Sequence, residues 1–143
     1  MLKLLTYLWA APTSLIGFII ALPSLISGAK VTSINGALEI TGGFWVYTST
    51  LYPALLHFDA ITFGHVIVAK NTEILGTWRD HEHIHVRQYC RWGIFFLLAY
   101  PMASLWQLIN RRHPYWHNPF EVEAYNKAAP HAPLQYQLHK TKH

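Results

Sequence analysis

The chain has 143 residues, enough for one domain with a short appended segment. It is 52% hydrophobic and 13% charged, against about 25% charged in an average soluble domain, and its six Trp and eight Tyr suit a membrane–water interface. A net charge of +4 is compatible with anionic lipid headgroups. Nucleic acid is disfavoured because the basic residues are scattered and form no binding motif, and the single cysteine, Cys90, excludes an internal disulfide.

Residues 4–27 carry no charge and are almost continuously apolar, long enough to span a hydrocarbon core. They read as a transmembrane anchor over residues 1–29, kinked near Pro12. A signal peptide cleaved near Ser27-Gly28-Ala29 is the alternative, and Pro23 with the length of the run favours the retained anchor. Next, Val31–Ile34 and Ala37–Thr41 flank Asn35-Gly36, a strong hairpin signal because both turn residues need positive φ. Residues 44–58 are apolar enough for a second membrane segment, but their β-prone composition and bracketing glycines favour strands. Ile61–Ala69 reads as one further strand, with Gly64 allowing close backbone approach and His65 pointing at a site or simply packed.

Asn71 caps a helix that runs from about Glu73 to Trp92 and closes at Gly93. It contains His81-Glu82-His83-Ile84-His85, an H-E-x-x-H motif. Four-residue spacing stacks His81 and His85 on one helical face, where both imidazoles reach a single Zn²⁺ at about 2.0–2.1 Å. Glu82, at the edge of that face, is placed to act as a general base. Ile74, Trp78, His81, His85, Tyr89 and Trp92 form an inward stripe, whereas Asp80, His83, Arg87 and Arg91 form a polar one. His83 is therefore expected to be solvated or supporting, and Cys90 structural.

Residues 94–110 carry no charge, and hydropathy favours a membrane helix there. Pro101 and the short length favour a helix that dips into the interface or re-enters, anchored at headgroup level by Arg111-Arg112-His113. A zinc site within the membrane itself is the other arrangement. The loop His113–His117 holds two rival ligands, His113 and His117. Asn118-Pro119 then starts a helix that carries Glu121 and Glu123. Residues 131–143 read as a flexible basic tail, leaving 30–130 as the metal-binding domain.

H-E-x-x-H followed by Glu121-Val122-Glu123-Ala124 resembles the gluzincin class of zinc metallopeptidases, over roughly residues 61–128. The resemblance implies His81, His85 and Glu121 as ligands of one zinc per chain, with Glu123 the alternative, and Glu82 as catalytic base. It also implies a cleft-rim strand that binds substrate, which Ile61–Ala69 would supply. Tyr125 replaces the Asp that usually follows the ligand Glu, so the histidines are expected to be oriented by Asp80, Asn118 or a backbone carbonyl. Oxyanion donors would come from Tyr89, Tyr115, His113 or His117.

The expected fold class is α+β: an N-terminal transmembrane helix, then a small zincin-like domain with a short antiparallel β-sheet, the H-E-x-x-H helix and a glutamate helix. The expected function is a membrane-associated zinc peptidase acting on a peptide or protein. Its expected partners are the lipid bilayer and a second membrane protein or another copy of itself. The alternative is a non-enzymatic membrane protein with a structural or transport-related metal site, which a fourth ligand such as His65 or His117 would close.

Overall fold

The first helix, α1 (Leu2–Ile26), presents two unlike faces. Ala10, Thr13, Gly17, Ala21 and Ser24 recur at three- and four-residue spacing and are buried, while Leu4, Leu8, Leu15, Ile19, Leu22 and Ile26 are exposed. The small stripe matters because α1 lies directly on a β-sheet. A Cβ added at Gly17 would come within 2.8 Å of Val66 Cβ, so a larger residue would push the helix off. The computed structural model describes residues 2–46 and 59–128.

After α1, strands β1 (Lys30–Ile34) and β2 (Ala37–Thr41) form the expected hairpin. Asn35 and Gly36 turn it at φ of 50° and 84°, as an Asn-Gly two-residue turn requires. Gly42 and Gly43, at φ of 87° and 72°, end β2. Phe44–Val46 then start a helical turn instead of the expected strand, and the Trp45 indole donates to Ile20 O of α1 at 3.0 Å. The remainder of that apolar segment, 47–58, and the tail expectation for 131–143 lie outside the described residues.

The expected single strand over 61–69 is instead a hairpin. Gly64, at φ 60°, turns the chain between β3 (Ala60–Phe63) and β4 (Val66–Ala69). The sheet order is β1-β2-β4-β3, and β4 lies parallel to β2, so the sheet is mixed and not antiparallel. Strand β3 lies one position beyond, so β4 sits between β2 and β3. Strand β4 is buried at every residue because both faces of the sheet are covered. On one face, Ile40, Val66 and Val68 pack against Ala21 of α1. On the other, Ala37, Ile67 and Ala69 pack against Leu75 and Val86 of helix α2 (Thr72–Trp92).

Asn71 caps α2 by accepting from Ile74 N at 2.7 Å, and Gly93 closes it at φ 57°. A 3₁₀ turn (Gly93–Phe95) leads into α3 (Phe96–Ile109), which holds Pro101. Helix α4 (Pro119–Ala128) follows, with Asn118 Oδ1 accepting from Phe120 N at 3.0 Å. Ala10, Tyr89 and Phe96 join α1, α2 and α3 in a third apolar cluster. The fold is thus α+β: a small mixed sheet between α1 and α2, with α3 and α4 beside the latter. Two helical stretches, Leu4–Ile26 and one within Thr72–Ile109, are long and apolar enough to cross a membrane by length and composition.

Candidate metal centre

Helix α2 carries His81 and His85 one turn apart on its inward face, 3% and 8% exposed. Their Nε2 atoms lie 3.0 Å from each other. Glu121, in the first turn of α4, closes the triangle: Oε2 is 3.2 Å from His81 Nε2 and Oε1 is 3.4 Å from His85 Nε2. Ligands about 2.0–2.1 Å from a tetrahedral ion stand roughly 3.3 Å apart, so these separations are those of three corners of such a site. His81, His85 and Glu121 form a buried group that can hold a metal ion.

Burial alone would raise the Glu121 carboxyl. The hydrogen bonds and charges of His81 and His85 outweigh it and hold the group below the ordinary carboxylate range. The Tyr100 hydroxyl of α3 also donates to Glu121 Oε1 at 2.6 Å. Glu121 is therefore an anion positioned by three side chains. Glu123 faces elsewhere: it accepts from Gln88 at 2.9 Å and Lys127 at 2.6 Å. The alternative ligand thus stands apart from the group.

The residue that orients His85 is Gln88. Its Oε1 lies 2.8 Å from His85 Nδ1, so Nδ1–H donates to Gln88 and Nε2 is the nitrogen turned towards His81 and Glu121. Its Nε2 donates to Phe120 O and Glu123 Oε2, both at 2.9 Å, tying α2 to α4. The residues expected in this role are placed otherwise. Asp80 is exposed, and Asn118 donates to Tyr100 O and Ser104 Oγ. His81 is instead held by ring contacts, with the Tyr125 and Trp78 rings 4.3 and 5.7 Å away, and its Nδ1 is buried without a partner among the described residues.

Glu82 is 5% exposed and accepts a 2.6 Å hydrogen bond from Thr62 Oγ1 of β3. Glu82 and the metal group line one cavity of about 330 Å³, with Tyr89, Tyr100 and Tyr115 among its other walls. Glu82, Tyr89 and Tyr115 thus line the cavity that His81, His85 and Glu121 also line. His65 does not line it and sits in the β3–β4 turn against α1. There its ring stacks on Tyr7 at 4.2 Å, Nδ1 is 3.4 Å from Ser14 Oγ, and Nε2 is 3.4 Å from Cys90 Sγ. His113 and His117 are not part of the metal group and do not line its cavity. His113 Nδ1 accepts from Tyr115 N and Trp116 N.

On the polar stripe of α2, Asp80, Arg87 and Arg91 are exposed and His83 is half-buried. Arg79 donates from Nε and Nη2 to Glu39 of β2 at 3.0–3.2 Å, and His83 Nε2 lies 3.1 Å from the same carboxylate. Glu39 is fully buried, so this pair fastens the ligand helix to the sheet. Sequence reasoning missed Gln88, Thr62, Tyr100 and Glu39. Gln88 had a local signal, its three-residue spacing from His85, whereas the other three depend on contacts distant in sequence. Comparisons with protein-family models, with curated proteins and with solved structures each gave no match.

Proposed function

We propose that the protein is a membrane-associated zinc hydrolase of gluzincin type that cleaves peptide bonds. The observation that carries this reading is the buried His81–His85–Glu121 group sharing a cavity with Glu82. Two imidazoles and one carboxylate are a donor set that suits zinc, and three protein ligands would leave one coordination position for water or substrate. A structural site would instead be closed by a fourth ligand.

When bound, the metal supplies Lewis acidity, polarising a carbonyl and lowering the pKa of water. The chain's own residues do the rest. Glu82, held by Thr62, accepts the proton of the attacking water and then delivers it to the leaving amine. Tyr89 and Tyr115 line the same cavity and are candidate donors to the carbonyl oxygen as it gains charge, whereas the Tyr100 proton is engaged with Glu121. The exposed apolar faces of α1 and α3 support a membrane location.

The test is metal content of the detergent-purified protein by mass spectrometry, together with cleavage of a quenched fluorogenic peptide library. The reading expects about one zinc per chain in wild type, and loss of that zinc in both His81→Ala and Glu121→Ala. In Glu82→Gln, metal is retained and cleavage falls by about 10²–10⁴-fold. Wild-type protein that takes up no zinc after reconstitution would sink it.

A further inference from the structure

We infer that the cavity draws its substrate from the hydrocarbon phase of the bilayer, and that this substrate is an apolar, membrane-buried peptide segment. The inference rests on the hydrolase reading above and names its substrate class.

The walls give the first argument. Beyond the metal group and Glu82, the cavity walls carry no charged side chain; Thr62 and three tyrosines apart they are apolar, with Ile61, Phe63, Phe96, Leu97 and Pro101 among them. A charged substrate side chain would find no ion-pair partner there beyond Glu82 and the metal group, and burying an unpaired charge is costly. At about 330 Å³ the cavity lies at the small end of the roughly 300–1,000 Å³ range of ligand sites, which suits a short stretch of chain.

The position of the mouth gives the second. Pro101 lines the cavity and is itself exposed, so it stands at the opening. Around it on α3, Leu98, Met102 and Leu105 are 65%, 66% and 55% exposed. A ligand reaching Pro101 therefore crosses apolar surface. Helix α3 ends at Ile109, and Arg111 and Arg112, both exposed, follow at once. Pro101 lies eight residues before Ile109, about 12 Å of helix rise. With the arginines at headgroup level, the opening would sit well inside a hydrocarbon core about 30 Å thick.

The third argument is backbone chemistry. A peptide unwound in lipid needs partners for its N–H and C=O groups, each of which costs several kcal/mol if left bare. Strand β3 is an edge strand among the described residues, and its residues Ala60–Phe63 all line the cavity. It offers an unwound segment the hydrogen bonds that lipid cannot.

The test uses Co²⁺-loaded protein in phosphatidylcholine nanodiscs and reads binding from the visible cobalt spectrum, independently of turnover. The probes are acetohydroxamate, a Leu-Leu hydroxamate and an Asp-Asp hydroxamate. The Leu-Leu probe is expected to bind at least about tenfold tighter than acetohydroxamate, and the Asp-Asp probe no tighter, as the cost of burying a charge requires. Leu97→Gln should remove most of that difference, and the same discs serve both proteins, so partitioning into lipid cancels. Entry is tested by anchoring the Leu-Leu probe to a palmitoyl chain, which should still bind, or to dextran, which should not. Equal affinity for all three probes, binding of the dextran conjugate, or failure of the palmitoyl form would overturn the inference and leave the hydrolase reading standing. Wild type that binds no cobalt would instead remove the hydrolase reading itself.

Discussion

Gln88→Leu separates the metal site from the fold that carries it. The substitution keeps the side chain's approximate size and removes three polar contacts at once. These are the acceptor for His85 Nδ1 at 2.8 Å and the donors to Phe120 O and Glu123 Oε2 at 2.9 Å. Losing the partner of a ligating histidine typically costs 10–100-fold in metal affinity, or about 1.4–2.7 kcal/mol. The loss of the donor to Phe120 O acts on the metal-free protein, where an acceptor deprived of its partner costs about 1–3 kcal/mol. Gln88→Glu divides the two effects. It keeps an acceptor for Nδ1–H but loses the donor and sets a carboxylate against Glu123. Zinc affinity, measured by competition with a chromogenic chelator, should fall in Gln88→Leu and stay within severalfold of wild type in Gln88→Glu. Denaturant unfolding with chelator present should show both variants destabilised. Wild-type affinity in Gln88→Leu would show that His85 is oriented by something else, and the reasoning about α2 and α4 would be wrong.

Glu82→Gln should keep its zinc and lose about 10²–10⁴-fold in peptide cleavage; Thr62→Val should also keep its zinc and lose less, since it removes only the hydroxyl that holds Glu82. Equal losses in the two variants would point to damage of the fold instead. Glu39→Leu leaves Arg79 and His83 without their shared anion, and breaking a buried pair costs about 3–5 kcal/mol. Because Arg79 is 33% exposed the lower part of that range is expected, and a change below about 1 kcal/mol in denaturant unfolding would contradict the assignment. Gly17→Val forces a side chain into the 2.8 Å approach to Val66 and should cost about 1–3 kcal/mol by the same measurement. Chelation of the metal should raise hydrogen exchange in Pro119–Ala128 more than in β2 or β4, because Glu121 is the ligand that α4 contributes. No rise in α4 on chelation would show that α4 is held independently of the metal, and a uniform rise would show that the metal does not hold α4 in particular.

What was legible in the sequence is what local chemistry fixes. Asn35-Gly36 marks its own turn, Asn71 and Gly93 mark the ends of α2, and the spacing of His81 and His85 puts both on the inward stripe. What was not legible depends on partners distant in the chain. The β-prone run over 61–69 contains its own turn, but Gly64 reads equally as a kink, and nothing local says that β4 will pair parallel with β2. Glu39 sits in an alternating strand, where a carboxylate ordinarily marks the solvent face. Its partners Arg79 and His83, forty or more residues later, make its burial tolerable. Arg79 fits the inner-stripe pattern poorly for the same reason. Tyr100 was hidden by its setting, because a charge-free stretch reads as lipid-facing throughout, although its phenol holds Glu121.

The polar contacts of α2 also explain how one helix can be both well buried and exact in register. Leu75, Ile84 and Val86 supply apolar burial, and apolar packing by itself tolerates small rearrangements. The polar groups do not. Arg79 and His83 meet Glu39 of β2, Glu82 meets Thr62 of β3, and His81 and His85 meet Glu121 of α4. A slip of α2 by one residue would turn each of these groups by about 100° and leave several buried charges unpaired at once. The competing registers are thus penalised together, and by more than any one contact is worth. That places His81 and His85 against Glu121 before any metal arrives, so binding need not organise the site from a disordered state.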